Sequence, residues 1–336
     1  VGRTIPFPSP NHMAATPAAA TDNSSRTALI TGASSGIGFE LARLFARDGY
    51  RLVLAALPTD QIQEAEGRLR QEFPQVQIDF FAVDLSYREG AEYLKQLLRD
   101  RRIDVLVNDA GFGEHGKFVD TDLDKELAMI NLNIAALVSL TKLAVQQMVP
   151  RGEGRILQVG SVAGFVPNPL LAVYGASKAF VNSFAEAIHN ELDGTGVTMT
   201  LLCPPATETN FFAVANMEHT REVQEGRAKG GLRSAADVAK DGYEGLMAGT
   251  ARVLSGPQAK MQPFLASILP DSVLASQTRK RMEDMPPAED QGLKGSDPSK
   301  TGGPARKAAA PAPAKTKAPV EGTKAPALKK AGAAKK

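Results

Sequence analysis

Cysteine is almost absent from this 336-residue chain: Cys203 stands alone. An internal disulfide framework and a multi-cysteine metal site are therefore excluded, and no metal site is expected. Long apolar runs are missing too. No segment approaches the roughly 18 consecutive apolar residues of a membrane-spanning helix, and the first residues lack the basic-then-apolar layout of a secretion signal. The expectation is a soluble, cytoplasmic protein with no transmembrane segment. Charge of one sign is missing only in sum. The net +2 divides into +7 for residues 286–336, with eleven Lys and Arg against four Asp and Glu, and −5 for the rest. The isoelectric point of the whole chain thus describes no single part of it.

What is present falls into three stretches. Residues 1–25 are rich in Pro and Ala and have no hydrophobic period, which reads as a disordered leader. Residues 286–336 are mostly Ala, Lys, Pro and Gly. They bury too little apolar area to offset an ordering entropy of ~1–2 kcal/mol per residue, which reads as a mobile basic tail. Such a tail is either a solubilising extension or a weak, sequence-independent contact for a polyanion. Between them, residues 26–285 alternate short apolar runs with longer helical patterns. The runs are 28–31, 51–56, 77–83, 104–108, 155–160, 197–203 and 252–255. Continuous rather than alternating apolar character marks strands buried on both faces, so the expected fold is α/β, a doubly wound parallel sheet with helices on both sides.

The first run leads into Thr31-Gly32-Ala33-Ser34-Ser35-Gly36-Ile37-Gly38, and an amphipathic helical pattern follows. Glycines let the backbone turn and approach a pyrophosphate, while the N–H groups and positive end of the new helix favour an anion. Strand, turn and helix in this order indicate a dinucleotide site rather than a mere tight connection. About 20 residues further on, a carboxylate would hold the ribose hydroxyls of NAD, and a basic residue the extra phosphate of NADP. Ala56 and Leu57 are neither; the missing acid favours NADP, and the missing Arg leaves NAD open. Ser34, Ser35 and Thr59 are hydroxyls that would meet a phosphate or simply cap the turn.

Tyr174 and Lys178 stand four apart in a helical segment, on one face. A phenol has an ordinary pKa of ~10, and a nearby cation favours its ionised form, so the group would exchange a proton with an alcohol or ketone. By itself the spacing also fits an amphipathic surface pair. Ser161 ends the fifth run, where a doubly wound sheet presents polar groups to a ligand. Asn131 is polar within the apolar helical run 128–143; read alone it is a cap or a core amide.

The Gly-x-x-x-Gly-x-Gly spacing, Asp84-Leu85 after the third strand, Asn108-Asp109-Ala110-Gly111 after the fourth, Ser161 and Tyr174-x-x-x-Lys178 together resemble the short-chain dehydrogenase/reductase family. The resemblance runs from Arg26 to about Glu283 and is similar to a broad bacterial-type branch. It implies a seven-stranded Rossmann sheet and an oxidoreductase that moves a hydride between NAD or NADP and an alcohol or ketone. It further implies cofactor contacts at Gly32, Ser34, Ser35, Gly36, Ile37, Gly38, Asp84, Leu85, Asn108, Ala110, Gly111, Pro204 and Thr209, besides Tyr174 and Lys178. By the same resemblance Tyr174 is the general acid/base, Ser161 steadies the substrate oxygen, Lys178 binds the nicotinamide ribose and lowers the Tyr pKa, and Asn131 completes a tetrad by holding a water that relays protons. Association through the helices that carry Asn131 and Tyr174 would make a homodimer or homotetramer. Two departures, Asp109 for a usual Asn and Pro205 for a usual Gly, motivate a rival reading as a dinucleotide-binding regulator without catalysis.

The expected substrate side is apolar: Phe112, Phe165, Val166, Pro167, Leu170, Leu171, Phe211 and Phe212 point to a hydrophobic alcohol or ketone. Residues 210–235, polar and Gly-rich, fit a mobile lid. The amphipathic stretch 264–274, followed by Arg279, Lys280 and Arg281, is read as packing on the fold rather than resting on a membrane. Cys203 is expected as a buried small hydrophobe, and His115 and His189 as surface residues.

Overall fold

The computed structural model describes residues 25–285. The expected tail, and the leader apart from Ser25, lie outside them. Seven strands form where the apolar runs stand: β1 (Thr27–Thr31), β2 (Arg51–Ala56), β3 (Ile78–Ala82), β4 (Val105–Asn108), β5 (Gly154–Val159) and β6 (Val197–Cys203). A two-residue pair, β7 (Thr207–Glu208) with β8 (Arg233–Ser234), precedes the last, β9 (Arg252–Leu254). The main sheet has the order β3-β2-β1-β4-β5-β6-β9, and every pairing in it is parallel. The α/β doubly wound fold expected from the sequence is the fold observed.

The helices, in chain order, are α1 (Gly36–Arg47), α2 (Asp60–Glu72), α3 (Arg88–Leu98), α4 (Leu123–Ile130), α5 (Leu137–Met148) and α6 (Ala172–Glu191). They continue with α7 (Phe211–Val214), α8 (Arg221–Ala228), α9 (Ala235–Ala248), α10 (Gly256–Ile268) and α11 (Asp271–Met282). Successive side chains of a strand point to opposite faces. Ala28 and Ile30 therefore pack with α1, α2 and α9, whereas Leu29 packs with α3, α5 and α6. Burial of both faces is what makes the inner strands read as mostly apolar runs.

A six-residue π-helical segment, Asn131–Ala136, joins α4 to α5. The resulting rod, Leu123–Arg151, is long and apolar enough to cross a membrane by length and composition, its most apolar 18-residue window having a mean hydropathy of 1.6. Its inner face of Ala136, Leu137, Leu140 and Ala144 belongs to the core beside the sheet, so it serves here as a core helix.

The order reversal between β1 and β4 opens a crevice at the carboxyl ends of the strands, the usual ligand position in such sheets. Segment 210–235, expected as a mobile lid, folds into α7, α8 and β8 and is tied down by α11. Arg221 N–H donates to Glu283 O (3.0 Å), Met285 N–H to His219 O (2.9 Å), and Arg281 pairs with Glu222 (2.7 Å). The expected packing of the last two helices is only partly met: α10 buries Ala259 and α11 buries Leu274, while Met261, Phe264 and Ile268 stay exposed.

Candidate active site

A cleft of about 680 Å³ lies along the carboxyl ends of the strands. One wall is the turn after β1, with Gly32, Ser34, Ser35, Gly36 and Ile37 on its surface. Asp84 and Leu85 follow β3, Ala110 and Gly111 follow β4, and Pro204 and Thr209 come from the connection after β6. Gly38 and Asn108, expected among the cofactor contacts, do not reach the cleft. A Cβ on Gly38 would sit 2.5 Å from Gly32 O, so this glycine lets α1 press against the turn. The Asn108 amide donates to Thr141 Oγ1 (3.0 Å) and Gln158 Oε1 (3.1 Å) and ties β4 to α5 and β5. Asp84 uses its own carboxylate on Ser86 N–H (2.9 Å) and Ser86 O–H (2.6 Å).

The α6 helix presents Tyr174, Lys178 and Asn182 at successive turns of one buried face. Ser161, at the start of a short 3-10 turn after β5, accepts Ala163 N–H (3.1 Å) and lines the same cleft as Tyr174. Lys178 Nζ donates to Val159 O (2.8 Å) and lies 5.9 Å from the Tyr174 ring centre. Ser161, Tyr174 and Lys178 thus converge as expected.

The fourth expected member does not. Asn131 is exposed, whereas Asn133 is buried and holds the place beside them. Its amide donates to Ser177 Oγ (3.0 Å) and Phe112 O (3.1 Å), and its Oδ1 accepts Phe112 N–H (3.3 Å). Two residues along a helix turn the side chain by roughly 200°, so one asparagine faces outward when the other faces the site. The signal was in the sequence: Met129, Ala136 and Leu137 stand at helical spacing from position 133, and all are buried.

Burial dominates the electrostatics. Desolvation pushes the Tyr174 phenol up to about 12, and the Asp109 charge adds to this while the Ser161 hydrogen bond opposes it. Against the expectation, Lys178 is not among the groups that shift Tyr174 in this structure. Desolvation lowers the Lys178 pKa, and the Asp109 carboxylate counteracts that. Asp109 is held above the usual carboxylate range by burial, with Lys178 and the Gly38 N–H pulling it back. The departure from Asn at this position therefore puts a carboxyl group close to both the glycine turn and Lys178.

The residues present fit a dinucleotide. Ser35, the residue before α1, makes no side-chain cap, so the first N–H groups of that helix face the cleft rather than their own side chain. Gly36 has φ +58°, a conformation that disfavours other residues. Gly111 keeps a gap open that a side chain would fill: a Cβ there would lie 3.0 Å from Asn133 Oδ1 and 3.6 Å from Lys178 Nζ.

The substrate side is apolar as expected, with Phe112, Leu171, Phe211 and Phe212 lining it. The Phe211 ring lies 5.0 Å from that of Tyr174. Phe165, Val166, Pro167 and Leu170 do not line the cleft; Phe165 packs on the core, and Leu170 takes φ +68° with its carbonyl accepting Gly116 N–H (2.9 Å). Met217 and Met282 complete the apolar lining, and Glu222, Gln262, Thr278 and Arg281 form a polar rim. Cys203 is buried as expected, and its thiol is pushed up to about 12 by that burial. The two histidines are not free surface groups: His115 meets Met282 O (2.7 Å) and His189 meets Met199 O (2.8 Å), each half-buried.

Two supporting residues escaped the sequence reading. Asn182 donates to Ser161 O (3.0 Å) and accepts Ser161 N–H (3.4 Å), fixing the backbone of the site serine. Asn168 donates to Ala163 O (2.7 Å) and Val166 O (2.5 Å) and clamps the loop before α6. Helical spacing from Tyr174 and Lys178 was the available clue to Asn182; for Asn168 there was none.

A parallel sheet, a glycine turn at its switch point and a Ser-Tyr-Lys-Asn cluster beside that turn define a dehydrogenase-type α/β protein. The short chain dehydrogenase model matches residues 26–220, more than half of the chain, and the chain belongs to that family. It is 35% identical over 180 residues to a very-long-chain 3-oxoacyl-CoA reductase of Emericella nidulans, covering 52% of this chain and 52% of that one. A protein of the same description from Rattus norvegicus is 33% identical over 199 residues, covering 58% and 62%. The chain thus spans about half to three-fifths of the length of these curated relatives. Among solved structures, a short-chain dehydrogenase from Sphingobium yanoikuyae in complex with NADPH is 29% identical, with a TM-score of 0.64, covering 74% of this chain and 97% of that one. A bulky-bulky ketone specific alcohol dehydrogenase from Comamonas testosteroni is 27% identical, with a TM-score of 0.60, covering 74% and 96%.

Proposed function

We propose that this protein is an NADPH-dependent reductase of a bulky, apolar ketone, a 3-oxoacyl thioester being the first candidate. The observation that carries the reading is the convergence of Ser161, Tyr174 and, one helical turn on, Lys178 in a cleft lined by Phe112, Leu171, Phe211 and Phe212. Bound nicotinamide supplies or takes up the hydride. The chain supplies the rest. The turn after β1 and the N-terminus of α1 would hold the pyrophosphate, and Gly111, which leaves space beside Lys178, would admit the ribose. In the direction of reduction, Ser161 donates to the carbonyl oxygen, and Tyr174 delivers the proton as the oxygen becomes a hydroxyl. A resting phenol pushed up to about 12 is kept protonated for that step. Asn133, not Asn131, holds the Phe112 backbone and Ser177 around the lysine.

The cofactor preference is supported by neutral Ala56 and Leu57 at the end of β2, and by the NADPH bound to the Sphingobium relative. The thioester reading is supported by the names of the fungal and rodent relatives and by the apolar cleft. A homo-oligomer is supported by Leu123, Leu127 and Ile130 of α4 and Phe180 of α6, large apolar side chains left exposed on helices in contact with each other.

The test follows the absorbance of reduced nicotinamide with NADPH and NADH across aliphatic ketones and 3-oxoacyl thioesters of increasing chain length. NADPH oxidation that improves with chain length is expected; activity confined to small polar carbonyls refutes the substrate reading. Tyr174→Phe is expected to lower turnover by a factor on the order of 100 to 10,000 while binding NADPH as the parent does. Retained turnover in that variant removes Tyr174 from the mechanism.

A further inference from the structure

We propose that α10 and α11 form a docking face for an anionic lipid surface, with the mouth of the cleft opening beside it. On α10 the side chains of Met261, Phe264 and Ile268 are 59%, 62% and 59% exposed. Their spacing of three and then four residues lines them up along one side of the helix. Single exposed apolar residues are ordinary; an aligned row of long ones marks a contact surface. Val273 of α11, 40% exposed, adds to the apolar content of the pair.

Charge selects the occupant. The sequences of α10 and α11 contain Lys260, Arg279, Lys280 and Arg281 against the single acid Asp271. Arg281 pairs with Glu222 and Arg279 with Glu283, whereas Lys260 and Lys280 have no ion pair among the described residues. The sequence beyond Met285 then carries a net +7 over residues 286–336. That stretch has only Leu293, Val320 and Leu328 as large apolar residues. A second copy of this chain would set the same cationic groups against themselves. Nucleic acid would satisfy the cations and leave the apolar row in water. A bilayer with anionic headgroups satisfies both. One apolar contact or one polybasic stretch alone gives marginal binding, and the two together give stable attachment.

The same helices border the cleft. Gln262 follows the exposed Met261, and Thr278, Arg281 and Met282 of α11 lie on the cleft rim. If the substrate is apolar, as proposed above, it would enter from the lipid phase without crossing water. That last clause rests on the reductase reading; the docking itself does not.

The experiment uses the full chain and vesicles of phosphatidylcholine, alone or mixed with phosphatidylglycerol. The chain has no tryptophan, so Phe264→Trp places a single reporter on the row. Phosphatidylglycerol vesicles are expected to shift its emission to the blue, more at low salt than at high salt. In sedimentation, the triple variant Met261→Ser/Phe264→Ser/Ile268→Ser is expected to lose about tenfold in partitioning onto those vesicles. None of the three residues lines the cleft, so NADPH binding and thermal midpoint serve as controls for an intact fold. An emission from the Phe264→Trp reporter that does not shift overturns the proposal. So does a triple variant that partitions like the parent, or one that keeps vesicle binding and changes only its oligomeric mass. None of these readouts requires turnover, so failure of the reductase reading would show separately.

Discussion

Asn131 and Asn133 are chemically identical and two positions apart, and only the direction of their side chains divides them. Asn133→Ala removes the three hydrogen bonds that seat Phe112 and Ser177 around the lysine. A displacement of about 1 Å at such a site costs on the order of 100-fold in rate, and that is the expected loss in kcat. Asn131→Ala changes an exposed side chain and is expected to stay within about 0.5 kcal/mol of the parent in a denaturant titration. Equal losses from the two variants would reverse the assignment. Asp109 acts on its neighbour by charge. Since its carboxylate raises the Lys178 pKa, Asp109→Asn is expected to lower that pKa further. NADPH binding depends on the lysine being charged in the proposed site. Its weakening as pH rises should therefore begin at a lower pH in the variant, as measured by fluorescence titration between pH 6 and 9.

Helix α6 works as a ruler, with Tyr174, Lys178 and Asn182 one turn apart. The first two were legible as a motif, since phenol and amine announce proton chemistry. Asn182 was not, because an amide on a helix has many uses and its partner, the Ser161 backbone, stands 21 positions earlier. Asn182→Ala leaves the Ser161 N–H buried without a partner, while Ser161 O keeps the Gly164 N–H (3.1 Å), at a cost of about 1–3 kcal/mol in stability. The expected kinetic signature is a lower kcat with unchanged dinucleotide affinity, because Ser161 shifts and the glycine turn does not. Strands were legible almost to the residue, since burial keeps most of their positions apolar, polar residues such as Asp79, Gln158 and Thr200 being the exceptions. The ties between α8 and α11 were not: they join segments 59 positions apart, each of them polar and ordinary when read alone.

At the scale of the molecule, Cys203 offers a clean report on integrity. It is the sole cysteine, fully buried at the end of β6. Its thiol is pushed from 9.0 up to about 12 by burial. A group whose pKa rises on folding stabilises the fold below its unfolded pKa, and that contribution is lost as the pH climbs from about 9 toward 12. The native protein is therefore expected to resist an aromatic disulfide reagent at pH 8 and to react fully once denaturant unfolds the sheet. Rapid labelling without denaturant would place the thiol at the surface.

The sheet order has a kinetic side. Strand β1 lies inside the sheet between β2 and β4, yet its second neighbour arrives late: the Thr27 N–H finds Asp104 after 77 intervening steps of chain. All six lateral pairings are parallel, so each closes a long loop before any contact repays the lost freedom. A newly made chain thus spends its early life with half a sheet and an open edge. The order of strands that creates the crevice at the sheet's switch point is the same order that leaves β1 with one open edge until β4 has been made.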